Sequence, residues 1–172
     1  MVLDCQRLHC MAGLRPAGVD EAVLEATYIA NLRYAADRFA TIGATVMIEP
    51  INSRIDMPGY WLDSVDQGFC LLEAVDRSNV KLQYDIYHAQ IIAGDLARTL
   101  EANLQRIGHI QIADNPGRHE PGTGEINYPF LFEQLDRLGY EGWVGCEYKP
   151  LTTTEAGLGW LPHPTGTSWG AK

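Results

Sequence analysis

The sequence predicts a single α/β domain built on a parallel sheet. Short runs of strand length alternate along the chain with stretches in which apolar residues recur at helical spacing, a pattern typical of successive βα units. The chain has 172 residues, 46% of them hydrophobic, which is enough for one sizeable core and too few for two comfortable ones. We therefore expect one domain over residues 1–172, with a frayed tail at 162–172, where Pro, Gly, Thr and Ser are frequent.

The first half of the chain predicts two strands, each followed by a helix. Residues 7–11 form a short strand-like run that ends at a loop containing Gly and Pro. From Asp20 onwards, apolar residues recur at helical spacing until Gly43, where the helix is expected to end. Residues 44–48 form a compact second strand, and residues 65–75 carry another helical stripe after a loop rich in Pro, Gly and Asn.

The second half of the chain continues this alternation with three more strands. These strands are predicted at residues 80–84, 107–112 and 142–146. Leucines at 96, 100 and 104 mark a third helix, and leucines at 131, 135 and 138 mark a fourth. A long polar loop separates them at 115–125, and residues 152–161 predict a short helix. The expected sheet therefore has five strands.

Charge and cysteine content narrow the classes of partner. The 13 basic and 22 acidic residues give a formal net charge of −9, and such a surface repels phosphate backbones and anionic lipids. We therefore expect no nucleic-acid partner and no membrane partner. No apolar run approaches the length of about 18 residues that a membrane span needs. The four cysteines form neither a CxxC pair nor a dense disulfide framework, which favours a cytoplasmic location.

Polar side chains mark the ends of four predicted strands. Glu49, Asp85 and Glu147 follow their strands closely, and Gln111 lies one residue before the end of its strand. The carboxyl ends of parallel strands carry the active site in barrels of this kind, and successive side chains of a strand point to opposite faces. We therefore expect these four side chains to converge on one face of the sheet. The opposite face is aliphatic and is expected to pack beneath the helices.

Three convergent carboxylates repel one another unless a positive charge offsets them, and the fourth side chain is a neutral amide. An all-oxygen donor set suits Mg²⁺ or Mn²⁺ better than zinc. Such a cation would polarise a substrate carbonyl, and the carboxylates beside it could move a proton on the adjacent carbon. The alternative is that these residues cap strands or contact helix N-termini and lysines. Spacing alone is equally compatible with both interpretations.

The segments around these residues resemble the hydroxypyruvate isomerase family. The matching motifs are residues 49–52 (EPIN), 83–88 (QYDIYH), 109–128 (HIQIADNPGRHEPGTGEINY) and 145–148 (GCEY). This family belongs to the xylose isomerase-like TIM barrels, whose members include ketose 3-epimerases and inosose dehydratases. The resemblance covers about residues 7–161. It implies a partial (β/α)8 barrel of about five parallel strands, equivalent to strands 4–8, with helices on one face.

The resemblance also implies roles for individual residues. The implied metal ligands are the four strand-end residues, Glu49, Asp85, Gln111 and Glu147. Glu49 and Glu147 would also form the catalytic acid/base pair. His88 would contact a substrate oxygen, and Arg118 would hold a substrate carboxylate or hydroxyl. The implied cofactor is a divalent cation, Mg²⁺ or Mn²⁺.

The implied reaction acts on a small hydroxy-carbonyl substrate. It interconverts hydroxypyruvate and 2-hydroxy-3-oxopropanoate by metal-assisted proton transfer through an enediolate. One alternative is an enzyme similar to the ketose 3-epimerases or inosose dehydratases. Another is a catalytically silent half barrel that binds a small sugar acid or a partner chain. Gln111 stands where the epimerase relatives have histidine, which favours the isomerase.

The expected sheet is smaller than that of a complete barrel. A TIM barrel has eight strands and about 250 residues, and no segment before residue 7 resembles the family's first three strands. A part barrel has two open edges and an uncovered lining, and both features favour pairing with another chain. We therefore expect a homo-oligomer, most simply a two-fold dimer that covers the open side. The alternative is that the chain is a fragment of a longer enzyme.

Three other features have structural interpretations. Cys146 points away from the face of Glu147 and is expected in the core. His9 either faces the pocket or has a structural role. The segment 122–124 (GTG) lacks the strand–GxGxxG–helix context of a phosphate-binding loop. It is therefore expected to form a turn before a helix capped by Asn127.

Overall fold

Five parallel strands form one sheet, in which each strand pairs with the next along the chain. The computed structural model describes residues 5–161. The strands are β1 (Arg7–His9), β2 (Thr45–Ile48), β3 (Val80–Asp85), β4 (Ile107–Ile112) and β5 (Val144–Cys146). This order, with helical connections, is that of consecutive βα units in a TIM barrel. The predicted partial barrel of five parallel strands is confirmed.

Within residues 5–161, five α-helices connect or flank these strands. They are α1 (Glu21–Ala40), α2 (Val65–Val75), α3 (Ile86–Ile92), α4 (Leu96–Asn103) and α5 (Tyr128–Arg137). Asp20 caps α1 by accepting a hydrogen bond from the Ala22 N–H, and Asn127 caps α5 by accepting one from Phe130. The expected cap at Asn127 is therefore confirmed. Over residues 5–161, no helix combines the length and the apolar character that crossing a membrane would require.

The core lies between the aliphatic face of the sheet and the helices. Helix α1 packs on β2, and α2 packs on β3. Alternate residues of β2, β3 and β4 are almost completely buried on this face: Val46, Ile48, Leu82, Tyr84, Ile110 and Ile112. The predicted division of these three strands into an aliphatic face and a polar face is therefore confirmed. It leaves Glu49, Asp85 and Gln111 on the concave side.

Several predicted boundaries differ from the structure. Strand β1 ends at residue 9 rather than 11, and β5 begins at residue 144 rather than 142. Helix α3 was not predicted as a separate element, because it begins directly after Asp85 with no loop between it and β3. Residues 152–161 contain one 3₁₀ turn, Ala156–Leu158, in place of a short α-helix.

The prediction that Cys146 lies in the core is wrong. Its side chain is exposed, because β5 is an edge strand of the described sheet and no described α-helix follows it. A cavity of about 240 Å³ lies beside it, against α5. The single domain over residues 1–172 stays a prediction, and the expected frayed tail at 162–172 lies outside the described residues.

Candidate active site

Three carboxylates meet at the carboxyl ends of β2, β3 and β5. Glu49 follows β2, Asp85 ends β3, and Glu147 follows β5. Together with His88, each of them offers one potential ligand atom, and these atoms lie within 4.8 Å of one another. Glu49 and Asp85 are buried, whereas Glu147 is exposed. The predicted convergence of the strand-end carboxylates is therefore present.

Gln111 joins this group through a second glutamine. In the ladder between β3 and β4, Gln111 is the partner of Asp85. The side-chain amide of Gln83 donates to Gln111 Oε1 at 2.6 Å and to Glu49 Oε2 at 2.9 Å. The hydrogen bonds of Gln83 thus hold one oxygen of Glu49 and the amide oxygen of Gln111 next to each other.

Two buried carboxylate oxygens have no hydrogen-bond partner among the described residues. They are Glu49 Oε1 and Asp85 Oδ2. The other oxygen of Asp85 accepts hydrogen bonds from the backbone N–H groups of Tyr87 and His88, at 2.8 and 3.2 Å. An unpaired buried carboxylate oxygen is costly unless a positive group contacts it. The oxygen donors and these two unpaired atoms fit a hard divalent cation such as Mg²⁺ or Mn²⁺.

The electrostatics of the cluster agree with this fit. Burial raises the pKa of the Glu49 carboxyl to about 8, and the charges of Asp85 and Glu147 contribute to the increase. Burial also raises the pKa of Asp85 above its usual value. A cation in the cluster would reverse both effects, because it favours the ionised carboxylates.

His88 is buried in the first turn of α3, three residues after Asp85. Its Nδ1 atom lies 2.7 Å from the amide nitrogen of Asn52. Its Nε2 atom faces Asp85 Oδ2 at 3.9 Å, which is beyond hydrogen-bond distance. Burial and the neighbouring Arg118 lower the pKa of His88 to about 4, so the imidazole is neutral at pH 7.

Arg118 connects the cluster to the loop after β2. Its guanidinium donates to Asp56 Oδ1 at 2.9 Å and to Glu147 Oε2 at 3.0 Å. The same group stacks over the ring of Tyr87, at 5.2 Å from the centroid. These two hydrogen bonds use two of the five N–H donors of an arginine, so donors remain for a ligand oxygen.

The loop that carries Arg118 is organised around a buried aspartate. The carboxylate of Asp114 accepts four backbone N–H groups, from residues 115, 122, 124 and 126, at 2.8–3.0 Å. Gly124 is required here, because a Cβ at this position would lie 2.0 Å from the carbonyl oxygen of Asn115. The amides of residues 122 and 124 therefore bind Asp114, in agreement with the predicted turn.

A cavity of about 620 Å³ opens on the face of the sheet that carries Gln83, and the three carboxylates are not part of its lining. Its lining includes His9, Met47, Gln83, His109 and Trp143. The Nδ1 atom of His9 lies 3.5 Å from Glu49 Oε2. Of the two interpretations left open for His9, the structure therefore supports the one in which this side chain faces the site.

Three further polar residues, Asp56, Asn52 and Gln83, contact the predicted site residues. Asp56 accepts hydrogen bonds from Arg118, from the hydroxyl of Tyr87 and from the amide of Asn52. Asn52 belongs to the motif at 49–52, and Gln83 shares the strand face of Asp85. The motif and the strand alternation could therefore have identified Asn52 and Gln83 from the sequence. Asp56 lies in a loop without periodicity, so no local pattern marks it.

The comparisons with known proteins agree with this fold. A family model described as a xylose isomerase-like TIM barrel matches residues 2–163. The 2-oxo-tetronate isomerase of Cupriavidus necator is 54% identical over 93% of this chain, and the hydroxypyruvate isomerase of Escherichia coli is 49% identical over 92%. A crystal structure described as an AP endonuclease, family 2, from Brucella melitensis has 50% identity and a TM-score of 0.88.

These relatives are longer than this chain. The match covers 61% of the length of each of the two curated relatives. The match to the crystallised protein covers 60% of that protein and 92% of this chain. The chain therefore spans about three fifths of the length of the proteins it resembles.

Proposed function

The chain belongs to the xylose isomerase-like TIM barrel family, and on that premise we propose that it is an isomerase of small hydroxy-carbonyl acids. Its proposed reaction interconverts hydroxypyruvate and 2-hydroxy-3-oxopropanoate. Two similar relatives are named as isomerases, one of hydroxypyruvate and one of 2-oxo-tetronate. The observation that carries the proposal is the convergence of Glu49, Asp85 and Glu147, two of them with unpaired buried oxygens, beside Arg118.

The proposed mechanism moves one proton between neighbouring carbons. The implied ligands of the divalent cation are Glu49, Asp85, Gln111 and Glu147. When bound, this cation supplies a Lewis acid for the substrate carbonyl. One of the two glutamates removes a proton from C3 of hydroxypyruvate, which gives an enediolate. A proton returned to C2, together with transfer of the C3 hydroxyl proton to the C2 oxygen, yields the aldehyde isomer. Because Glu49 and Glu147 face one cluster from different strands, they can act at adjacent carbons.

Arg118 and His88 position the substrate in this proposal. The free N–H donors of Arg118 suit the carboxylate of hydroxypyruvate, since a guanidinium binds a carboxylate with two parallel hydrogen bonds. Arg118 also donates to Glu147 Oε2, so in this proposal that glutamate lies next to the bound acid. His88 lies at the buried end of the cluster and is suited to contact a substrate oxygen.

The direct test is isomerisation of hydroxypyruvate by the purified chain, with and without Mg²⁺ or Mn²⁺. We expect metal-dependent turnover that is lost in Glu147→Gln. The matched control is Glu141→Gln, which changes an exposed glutamate before β5. Turnover without metal, or full activity in Glu147→Gln, would refute the proposed mechanism.

A catalytically silent half barrel is the second candidate. It is favoured by the exposure of all three residues of the edge strand β1, because an open edge leaves one side of the pocket uncovered. A folded chain without activity on hydroxypyruvate under any metal condition would support this candidate. Activity on a ketose in the same assay would instead support a 3-epimerase.

We also propose that a second copy covers the open side of the barrel. Within residues 5–161, β1 and β5 form the two edges of the sheet. Exposed apolar side chains lie near them, including Leu8, Met11 and Trp143. Such edges and patches favour pairing between chains. A mass near 19.1 kDa in light scattering coupled to gel filtration would exclude the proposed dimer.

The proposed partners and location follow from charge and cysteines. A net charge of −9 and an acidic site oppose binding of a phosphate backbone. All four cysteines are free, which supports a reducing cytoplasm as the proposed location.

A further inference from the structure

Asn52 and His88 form a buried pair beside the acidic cluster. Their exposed fractions are 0% and 2%, and Asn52 Nδ2 lies 2.7 Å from His88 Nδ1. Hydrogen-bond donors and acceptors must match closely at such a site, because water cannot replace a missing partner. The orientation of the Asn52 amide therefore determines which nitrogen of His88 carries the proton.

The orientation of the Asn52 amide is fixed by three other contacts. Its oxygen accepts hydrogen bonds from the backbone N–H groups of Ile55 and Asp56, at 3.0 and 3.2 Å. Its nitrogen donates to the carboxylate of Asp56 at 2.7 Å. Rotating the amide by 180° would place its NH₂ group against the two backbone N–H groups and its oxygen against the Asp56 carboxylate. All three contacts would then be repulsive, so the nitrogen must face His88.

The proton position on His88 follows from this orientation. The two hydrogens of the Asn52 amide have two acceptors, the Asp56 carboxylate and His88 Nδ1. His88 Nδ1 must therefore be the unprotonated nitrogen, and in the neutral ring Nε2 carries the hydrogen. This N–H faces Asp85 Oδ2, at 3.9 Å, on the side of the acidic cluster.

We propose that Asn52 is a positioning residue that holds His88 as an Nε2–H donor, so that His88 hydrogen-bonds a substrate oxygen and does not bind the divalent cation. A nitrogen that carries a hydrogen has no lone pair for a metal. The ligands are then the strand-end oxygens, although His88 lies within the same cluster. A fixed, neutral donor stabilises negative charge that develops on a substrate oxygen. The substrate contact rests on the proposed function, whereas the tautomer does not.

The test is the tautomer of His88 in the ¹⁵N-labelled, metal-free protein at pH 7. A long-range ¹H–¹⁵N correlation spectrum separates protonated from unprotonated ring nitrogens, and the His88 signals are those that disappear in His88→Gln. We expect an unprotonated Nδ1 and a protonated Nε2. Because no substrate is present, this result is independent of whether the chain isomerises hydroxypyruvate. A protonated Nδ1 in the unaltered chain would overturn the proposal.

Asn52→Asp tests whether Asn52 sets this state. A carboxylate at residue 52 accepts but does not donate, so we expect the His88 Nδ1 signal to change to that of a protonated nitrogen. The matched control is Asn103→Asp, since the Asn103 amide contacts only the Thr99 carbonyl among its described hydrogen bonds. An unprotonated Nδ1 in folded Asn52→Asp would remove Asn52 from the proposal.

Addition of Mg²⁺ alone tests whether His88 stays out of the coordination of the divalent cation. We expect the Nε2–H signal of His88 to persist at saturating Mg²⁺. Loss of that hydrogen would identify His88 as a ligand and would contradict the assignment. This measurement uses the unaltered chain, so it stands even where a substitution at residue 52 prevents folding.

Discussion

Replacing Glu49 by glutamine should stabilise the metal-free protein. The side chain is 5% exposed, and burial among other carboxylates raises its pKa from the usual 4.5 to about 8. At pH 7 the folded chain therefore holds a proton on Glu49 that the unfolded chain releases. The difference between pH 7 and the usual pKa corresponds to about 3 kcal/mol, at about 1.4 kcal/mol per pH unit. Glutamine has no proton to take up, so Glu49→Gln should gain about this amount.

The sign of the effect gives a pH signature. A carboxyl whose pKa is raised on folding destabilises the folded chain as pH rises from its usual pKa of 4.5 towards about 8. The advantage of Glu49→Gln should therefore shrink to less than about 1 kcal/mol at pH 5. Saturating Mn²⁺ should stabilise the unaltered chain more than the variant, because it binds the folded state through this carboxylate.

The assay is urea unfolding in EDTA at pH 5, 6, 7 and 8, with and without Mn²⁺. Glu141→Gln serves as the matched control and should not change the free energy of unfolding, because that glutamate is exposed. A Glu49→Gln protein no more stable than the unaltered chain at pH 7 would refute the reasoning. A gain of equal size at pH 5 and pH 8 would refute it as well.

Three further substitutions test the site and the core. Arg118→Lys keeps the charge but loses the planar guanidinium that bridges Asp56 and Glu147. KM for hydroxypyruvate should therefore rise at least about tenfold in steady-state kinetics. An unchanged KM would contradict the carboxylate contact. Gly124→Ala should abolish activity and make the 115–125 loop sensitive to limited proteolysis, because the new Cβ collides with the Asn115 carbonyl. A loop that resists the protease in this variant would argue against this packing. Leu82→Ala should lower the free energy of unfolding by about 2–5 kcal/mol in urea, since Leu82 is fully buried on the aliphatic face; a loss below about 1 kcal/mol would place it outside the core.

The strands and their polar ends were predictable because both depend on local pattern. Residues 107–112 form a strand with the predicted bounds, since isoleucines alternate with polar residues over most of this segment. The period of two in a strand then assigned Glu49, Asp85 and Gln111 to the face opposite the buried aliphatic residues. Where the pattern was weak, as in β1 and before β5, the predicted ends differed by two residues.

The exposure of Cys146 depended on neighbours rather than on alternation. Cys146 pairs with the buried Ile112 in the ladder between β4 and β5, but no described α-helix follows β5, and a cavity lined in part by α5 adjoins this side chain. Helix α3 was missed for a related reason. Its start coincides with the end of β3 at Asp85, and that residue serves both as a strand end and as a helix cap.

By itself, the sequence determined the order of the strands, the family and the strand-end residues that converge. Only the tertiary structure decided how those residues are paired and protonated. Arg118 reaches an aspartate 62 positions earlier in the chain, and His88 meets an asparagine 36 positions earlier. No periodicity specifies such partners, because a hydrogen bond depends on which side chains the folded loops bring within about 3 Å. The chemistry of the carboxylates is therefore encoded locally, whereas the proton on His88 is set by the packing of the loop after β2 against α3.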